Sequence, residues 1–267
     1  MNFDVTVVGA GSVGIAISYF LSKNGYKVLL IDKEQNFGMH TSSRNTEIVH
    51  AGIYYKPNTL KAKFCYEGKN LLYKFCDEYK VNYKKCGKIF VGHNNKDLSN
   101  FESIIKRSKL NGLNDIYEIN KKQILNIEPN LLGNYFLRSP SSGIFDSYDY
   151  MQKMINLSYN NDFIFSPNTE LINVDLKNDK VTLYLVENTK KNLKVESKLM
   201  INSTGNFSID LFNKIFTEKS KYTPHPVKGN YLTYSGKSLI NNIIYPPIQP
   251  GNIQPRVDAI NDLNNVM

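Results

Sequence analysis

The sequence has no tryptophan, three cysteines and four arginines among its 267 residues. No apolar run approaches the roughly 18 residues of a transmembrane helix, so a membrane-spanning segment is not predicted. Cys65, Cys76 and Cys86 form no Cys-x-x-Cys pair, which argues against a metal site and against dithiol chemistry. The odd thiol count fits a reducing compartment, and a strand-like run already begins at Phe3. We therefore expect a cytoplasmic protein without a leader peptide.

Acidic residues are outnumbered: 33 Lys and Arg face 24 Asp and Glu, a net charge of +9. The lysines are scattered and form no basic stripe with interleaved aromatic residues, so no nucleic-acid partner is expected. The charge fits loose attraction to anionic substrates or to an anionic membrane surface, and peripheral association with the inner membrane is kept as an expectation. Hydrophobic residues make up 41%, enough for one large domain or two interleaved domains.

The first 32 residues predict a β-strand over 3–8, an α-helix over 12–24 and a second strand over 27–31. Apolar residues recur in the helix at helical spacing, at Val13, Ile17, Phe20 and Leu21. Two strands joined by one helix within about 30 residues form a βαβ unit, whose strands are parallel. The sequence therefore predicts an α/β protein with a parallel sheet at its N-terminus.

A Gly-x-Gly-x-x-Gly motif, Gly9 to Gly14, joins the first strand to the helix. The first glycine makes a tight turn, Gly11 lets the backbone approach a diphosphate, and Gly14 lets helix and strand pack closely. The helix N-terminus offers unpaired amides to the same diphosphate. Asp32 ends the second strand, where it would accept hydrogen bonds from ribose hydroxyls. The pattern predicts a dinucleotide site, with NAD or FAD favoured over NADP.

The choice between NAD and FAD depends on later segments. After Asp32 the chain enters a polar segment over 40–57, and a late strand ends in Ser203-Thr204-Gly205. A flavin domain needs such segments because the long FAD crosses several parts of the chain, so FAD is favoured. A plain NAD-dependent dehydrogenase is the alternative.

Helices and strands are predicted along the rest of the chain. The helices cover 60–79, 99–110, 121–127 and 148–160, and the strands cover 88–92, 134–137 and 195–202. A hairpin over 169–176 and 181–187 would turn at Asn178-Asp179. The helix over 60–79 places Phe64, Leu71, Leu72 and Phe75 on one side. Short strands are expected beyond Lys221, and 250–267 shows no clear pattern.

The most distinctive stretch is TSSRNTEIVHAGIYY over 41–55, which continues as PNTLKAKFC over 57–65. Shorter motifs follow in CGKIFV at 86–91, Glu128-Pro129, SPSSGIFD at 139–146, INSTG at 201–205, VKGNY at 227–231 and IYPP at 244–247. In this order they resemble FAD-dependent oxidoreductases of the D-amino-acid-oxidase/glycine-oxidase superfamily. The greatest similarity is to L-2-hydroxyglutarate dehydrogenases (oxidases).

The resemblance implies a Rossmann-like α/β FAD-binding domain interleaved with an α+β substrate domain built on an antiparallel sheet. The expected FAD-binding domain covers 1–80 and 141–215, the substrate domain covers 81–140 and 216–249, and 250–267 is unassigned. Family members continue well beyond the last matching motif. The expectation is therefore a shortened chain that lacks one wall of the flavin site, with a closing part supplied by another chain as the alternative.

The resemblance also implies FAD contacts. They are Gly9, Gly11, Ser12 and Gly14 at the pyrophosphate, Asp32 and Lys33 at the adenosine, Ser42, Ser43, Arg44 and Asn45 along the diphosphate, ribityl chain and flavin, the backbone of Leu171 at the adenine, and Thr204 and Gly205. Arg44 has three open roles: binding phosphate, binding a substrate carboxylate, or bracing its loop. Tyr54, Tyr55, Lys228 and Tyr231 are candidates for the substrate site, with plain packing as the alternative.

The implied reaction oxidises an L-2-hydroxy acid, L-2-hydroxyglutarate above all, to its 2-oxo acid by hydride transfer to flavin, with oxygen or a quinone as electron acceptor. A base must take the hydroxyl proton, and histidine titrates near working pH. His50 is predicted as this base, His225 is its rival, and His50 orienting the loop or contacting FAD is the alternative. His40 and His93 are expected at the surface. Two other functions stay open: an amino-acid or amine oxidase of the same superfamily, and a non-catalytic fragment.

Overall fold

The computed structural model describes residues 2–177, 180–188, 191–246, 258–260 and 263. The chain divides into two compact units: unit 1 is Met1–Asn45 with Ser147–Asn230, and unit 2 is Thr46–Asp146 with Tyr231–Met267. The predicted turn at Asn178-Asp179 and most of the tail 250–267 lie outside the described residues. Within the described part, none of the helices has the length and apolar character needed to cross a membrane.

The first half of the chain contains β1 (Asn2–Val8), α1 (Ser12–Lys23), β2 (Val28–Ile31), β3 (Ile48–Val49), α2 (Leu60–Tyr79), β4 (Tyr83–Lys84), β5 (Lys88–Gly92), α3 (Asn95–Leu110), β6 (Tyr117–Glu118) and α4 (Lys121–Ile127). The second half contains β7 (Tyr135–Ser139), β8 (Gly143–Phe145), α5 (Ser147–Ser158), β9 (Phe163–Ser166), β10 (Thr169–Lys177), β11 (Lys180–Glu187), β12 (Asn192–Asn202), α6 (Ser208–Ile215) and β13 (Ile243–Tyr245). Short 3-10 turns lie at Thr41–Ser43 and Gly205–Phe207.

Unit 1 is built on a six-stranded sheet with the order β10-β11-β12-β1-β2-β9. β12, β1, β2 and β9 are parallel to one another, whereas β10, β11 and β12 are antiparallel. The parallel strands are in register, so that Val8 lies beside both Ile31 and Asn202, and Ile31 lies beside Ser166. All four therefore end at one edge of the sheet.

Helix α1 packs with its small residues inward, and the predicted apolar side was wrong at two positions. Gly14, Ile15, Ser18 and Ser22 are buried, whereas Val13 and Phe20 are exposed. A Cβ on Gly14 would lie 2.0 Å from the Gly9 carbonyl oxygen. The helix therefore approaches the turn through its glycine and serine face, because a larger side chain would keep the two backbones apart.

Unit 2 contains a four-stranded sheet with the order β13-β5-β7-β6 and a three-stranded sheet with the order β3-β8-β4. The pairs β5–β7 and β6–β7 are antiparallel, as expected, but β13 joins β5 in parallel. β13 follows the long segment 216–242 and not a hairpin, so its direction is not set by a tight turn. Every residue of β5 is buried.

Three elements differ in detail from the sequence prediction. α3 begins at Asn95 and not at residue 99, because Asn94 and Asp97 form a capping box at its start. β12 begins at Asn192, which pairs with Val186 of β11. Between Lys221 and Leu239 all residues are exposed, and the described residues after Lys221 contain a single strand, β13.

Helix α2 belongs to unit 2, and the units change at 45/46, 146/147 and 230/231; the predicted domain boundaries were 80/81, 140/141 and 215/216. The Cys65 thiol donates to the His50 carbonyl at 3.3 Å, and the Tyr73 hydroxyl donates to the Ser141 carbonyl at 3.2 Å. The buried face of α2 consists of Ala62, Lys69, Tyr73 and Cys76, whereas Phe64 and Leu71 are exposed. The apolar side predicted for this helix is therefore not its packing face.

Glu128 fixes the start of β13 to the end of α4. Its buried Oε1 accepts hydrogen bonds from Asn241 N at 2.7 Å, Asn242 N at 2.5 Å and Asn242 Nδ2 at 2.7 Å. The Asn241 side chain returns a bond to the Ile127 carbonyl at 3.1 Å. One buried carboxylate thus ends the exposed segment and sets where the chain rejoins the sheet.

Replacing Glu128 with alanine should destabilise unit 2 by about 2 to 4 kcal/mol, because it leaves the buried backbone and side-chain amides of Asn242, and the backbone amide of Asn241, without an acceptor. Urea unfolding measures the free energy, and hydrogen exchange should show faster exchange at these amides. Glu118→Ala, on the exposed strand β6, is the control and should change stability by less than about 0.5 kcal/mol. A change in the free energy of unfolding of less than about 0.5 kcal/mol for Glu128→Ala would contradict the role assigned to Glu128.

Candidate functional site

The glycine turn of unit 1 requires glycine at both of its ends. Gly9 has a φ of +104°, and a Cβ there would lie 2.6 Å from the Ser203 carbonyl oxygen. Its amide donates to the Ile31 carbonyl at 2.9 Å. These contacts of Gly9, together with the close approach of Gly14, place the glycine turn directly against the edge of the sheet at which the parallel strands end.

The first turn of α1 has the features of an anion site. Gly11 caps the helix in an extended conformation without a side-chain cap. The Ser12 amide donates to Ser42 Oγ at 3.0 Å. A Cβ added at Gly11 would meet only Ser42 Oγ, at 3.0 Å, among the described atoms within 4 Å. The Gly11 backbone is therefore open to close approach, and a helix N-terminus binds phosphate through its amides.

Asp32 is fixed beside this turn. Its Oδ2 accepts from Ala10 N at 2.7 Å and its Oδ1 from Glu34 N at 3.0 Å, while its carbonyl accepts from Thr169 N at 2.7 Å. An ionised carboxylate accepts about four hydrogen bonds. Each oxygen therefore keeps acceptor capacity for a ribose hydroxyl after it has bound the backbone.

Phe207 was not singled out from the sequence, although it lies two residues after the Gly205 motif position. Lys33 Nζ lies 4.6 Å from the centroid of its ring, and the His40 ring packs against it edge-on at 5.5 Å. His40 also contacts Glu34, with Nε2 2.9 Å from Oε1. As expected, His40 is exposed. Phe207 therefore joins the Asp32–Lys33 end of β2 to the Thr204–Gly205 turn.

The Thr204–Gly205 turn follows β12 at the same sheet edge. Asn202 Oδ1 accepts from Thr204 N at 3.2 Å and from Thr204 Oγ1 at 2.7 Å, and the Ser203 amide donates to the Val8 carbonyl at 2.8 Å. Gly205 has a φ of +57° and nothing within 4 Å of an added Cβ. Leu171, in β10, is buried beside a register shift of the ladder.

Arg44 braces its own loop. Its Nη1 donates to the Met39 carbonyl, to the His40 carbonyl at 3.2 Å and to Ser43 Oγ at 2.9 Å. Asn45 adds a bond from its Nδ2 to the Ser42 carbonyl at 2.7 Å. Of the three roles that the sequence left open, these contacts match the bracing of the loop.

All the predicted cofactor contacts lie in unit 1. Gly9, Asp32 and Ser203 each come directly after a parallel strand, at the edge where open α/β sheets bind their ligands. The open Gly11 backbone, the helix amides and the Asp32 carboxylate fit a diphosphate joined to a ribose. The residues present therefore fit the adenosine diphosphate part of FAD.

His50 lies in unit 2, in a segment held through its backbone. Asn111 Nδ2 donates to the Gly52 carbonyl at 3.0 Å and to the Tyr55 carbonyl at 2.9 Å. Arg107 Nη1 donates to the Tyr54 carbonyl at 3.2 Å. Residues 50–55 and Lys88 line a shallow, partly open cavity. His50, Tyr54 and Tyr55 are thus brought together.

Two lysines, Lys61 and Lys88, lie near this segment. Lys61 Nζ lies 4.7 Å from the centroid of the Tyr55 ring, and the fully buried Lys88 has its Nζ 3.8 Å from the centroid of the Tyr245 ring. Burial raises the pKa of the Cys65 thiol, so at neutral pH it stays protonated and donates to the His50 carbonyl. Sequence reasoning missed Lys88; the available signal was a lysine at the start of an apolar strand.

The other candidates lie elsewhere. Lys228, Tyr231 and His225 are exposed in the segment 221–239, and none of them lines the His50 cavity. His93 is exposed, as expected. The described residues contain no group of three or more His, Cys, Asp or Glu placed to hold a metal ion.

The family described as "FAD dependent oxidoreductase" (DAO) matches residues 4–260. L-2-hydroxyglutarate dehydrogenase of Arabidopsis thaliana is 32% identical over 99% of this chain and 60% of its own length. The protein of that name from Dictyostelium discoideum is 35% identical over 91% of this chain and 58% of its own length. This chain thus spans about 60% of the length of these relatives.

Among solved structures, dithionite-reduced L-α-glycerophosphate oxidase from Mycoplasma pneumoniae, with FAD bound, superposes with a TM-score of 0.77. The two chains are 21% identical, and the match covers 92% of this chain and 65% of the other. At this identity the likeness concerns the fold.

Gly11→Ala should weaken FAD binding about tenfold or more while the apoprotein stays folded, because the new Cβ meets only the movable Ser42 hydroxyl but blocks the approach of a diphosphate. Titration with FAD measures the affinity and thermal unfolding measures the fold. Gly68→Ala, in α2 with nothing within 4 Å, is the control and should leave FAD affinity unchanged. Equal affinity of Gly11→Ala and the wild type would contradict the assignment.

Proposed function

We propose that this chain, which belongs to the DAO family of FAD-dependent oxidoreductases, oxidises an L-2-hydroxy acid. The proposed substrate is L-2-hydroxyglutarate and the proposed product is 2-oxoglutarate. Membership of the family confirms the predicted oxidoreductase class, FAD as cofactor and the mixed α/β fold. The substrate is supported by the names of relatives that match nearly the whole of this chain. Because the chain spans about 60% of their length, its activity is part of the proposal.

The observation that carries the proposal is that His50 lies in the 41–55 stretch of the resemblance and lines a cavity together with Tyr54, Tyr55 and the buried Lys88. FAD, when bound, supplies the acceptor for the hydride that leaves the substrate carbon. In unit 1, the Gly9–Gly14 turn holds the diphosphate and Asp32 holds the ribose.

In unit 2, the His50 imidazole takes the hydroxyl proton of the substrate at one ring nitrogen. A base with an ordinary titration range near neutrality suits this step. Bonds from the Asn111 and Arg107 side chains to backbone carbonyls hold the segment 50–55, so its backbone does not have to be ordered when the substrate arrives.

The buried Lys88 makes the surroundings of the cavity favourable to an anionic substrate, and the net charge of +9 acts in the same direction at long range. This positive charge favours a dicarboxylate substrate over an amine substrate.

Oxygen or a quinone is proposed as the electron acceptor. The cytoplasmic location and peripheral attachment to a membrane remain predictions.

Anaerobic addition of L-2-hydroxyglutarate should bleach the visible band of the FAD-loaded chain, whereas D-2-hydroxyglutarate, glycine and L-proline should not. The measurement is the absorption near the flavin maximum before and after each addition. Bleaching by glycine or proline alone would replace the hydroxy-acid proposal with an amine oxidase. A stable band with every compound would contradict the proposed activity of this chain.

His50→Gln should slow flavin reduction by L-2-hydroxyglutarate by about 100-fold or more while FAD stays bound, because the variant has no base for the hydroxyl proton. Stopped-flow reduction measures the rate. His93→Gln, which changes an exposed histidine outside the cavity, is the matched control. Equal reduction rates for His50→Gln and the wild type would exclude His50 as the base.

A further inference from the structure

Lys88 is buried to an unusual degree for a lysine. It is fully inaccessible and opens β5, a strand with every residue buried. Lysine is almost never fully buried in proteins without compensation. Here the compensation includes two aromatic faces: Nζ lies 3.8 Å from the Tyr245 ring centroid and 6.0 Å from that of Phe90. Such contacts are strongest when the cation is desolvated.

The position of Tyr245 over Lys88 depends on the Glu128 anchor. Glu128 binds the backbone of Asn241 and Asn242, and β13 then runs parallel to β5 with Ile243 beside Lys88 and Tyr245 beside Phe90. The aromatic cover of the ammonium is therefore part of the sheet, which argues for a fixed charge at this point.

Lys88 lines the same small cavity as His50. The charged and titratable groups around the His50 segment are Glu47 on that segment, Lys61, Cys65 and Lys69 on α2, Arg107 on α3, Lys88 on β5, Tyr245 on β13, and Asp258 beside the bridge of Ala259 to Ile244. Lys88 combines complete burial with a place in the cavity wall. Lys61, in contrast, is exposed and its charge is screened by water.

We propose that Lys88 is a buried positive charge that holds His50 in its neutral, proton-accepting form. The inference rests on the proposed role of His50 as the base. Beside a buried positive charge a second positive charge is disfavoured, so the protonated form of His50 is destabilised. Lys88 itself acts through His50 and takes no proton, so it is a positioning residue.

The test is the side-chain NMR titration of the FAD-loaded protein, which has four histidines, with the His50 signal assigned by its loss in His50→Gln. In the wild type, His50 should titrate below the usual midpoint of about 6.5. Lys88→Met should raise the midpoint by about one pH unit, because it removes the charge that opposes protonation. Lys88→Gln is a second neutral variant, and Lys88→Arg should restore the wild-type midpoint.

Lys61→Met is the matched control, since it removes a lysine that lies over Tyr55 of the His50 segment but at an exposed position on α2, and it should move the midpoint by less than about 0.3 units. In the flavin-reduction assay, the acid limb of kcat/KM should move upward by the same amount as the NMR midpoint in the Lys88 variants.

A His50 midpoint at or above 6.5 in the wild type, or one that stays unchanged in folded Lys88→Met or Lys88→Gln, would overturn the inference. A wild-type midpoint at or above about 6.5 overturns the inference even if both neutral variants fail to fold. If no hydroxy acid reduces the flavin but the midpoint still moves, the proposed function fails and the electrostatic pairing stands.

Discussion

The parallel register of β1, β2 and β12 is the constraint on which the site depends. It brings Val8, Ile31 and Asn202 to one level, so that the three residues that follow them emerge together at one edge. At this edge the chain turns at Gly9, which lies against the Ser203 carbonyl. Gly14 lets helix α1 approach the Gly9 carbonyl. With any side chain at these glycines the backbones would separate, and the helix amides would leave the edge where Asp32 is fixed.

Unit 2 is organised by buried polar groups inside an apolar core. Glu128 fixes the return of the chain at Asn241 and Asn242, and this return supplies the Tyr245 ring above the Lys88 ammonium. Buried charges are costly unless they are compensated, so each must have well-placed partners. The same core supports residues 50–55 through Asn111 and Arg107. Stability and the proposed chemistry thus depend on the same contacts.

Much of unit 1 could be predicted from local sequence. The first strand, the glycine turn, helix α1 and Asp32 follow one another in the sequence. Their conformations and positions therefore depend mostly on local interactions. The packing face of α1 could not be predicted in the same way, because hydrophobic periodicity favours Val13 and Phe20 whereas close backbone contact selects Gly14 and Ser18. The same holds for α2, where Lys69 and Tyr73 are buried instead of Phe64 and Leu71. In both helices, the packing against distant segments overrides the apolar pattern.

Long-range partners were the other limit. Nothing near Glu128 or Lys88 in the sequence indicates Asn242 or Tyr245, since both pairs are separated by more than a hundred residues. Phe207 similarly contacts Lys33 only through the fold. Helix α2 lies in unit 2, whereas the prediction placed it in the first domain, because it packs on segments that follow it in the chain.

The central claim is that the edge of the unit 1 sheet binds the adenosine diphosphate half of FAD. The most direct measurement is an equilibrium titration of the apoprotein with FAD and, separately, with FMN, which carries the flavin and one phosphate but lacks the second phosphate and the adenosine. The account predicts that FAD binds, that ADP competes with it, and that FMN binds at least about tenfold more weakly. Equal binding of FMN and FAD, or FAD binding that ADP does not affect, would contradict it.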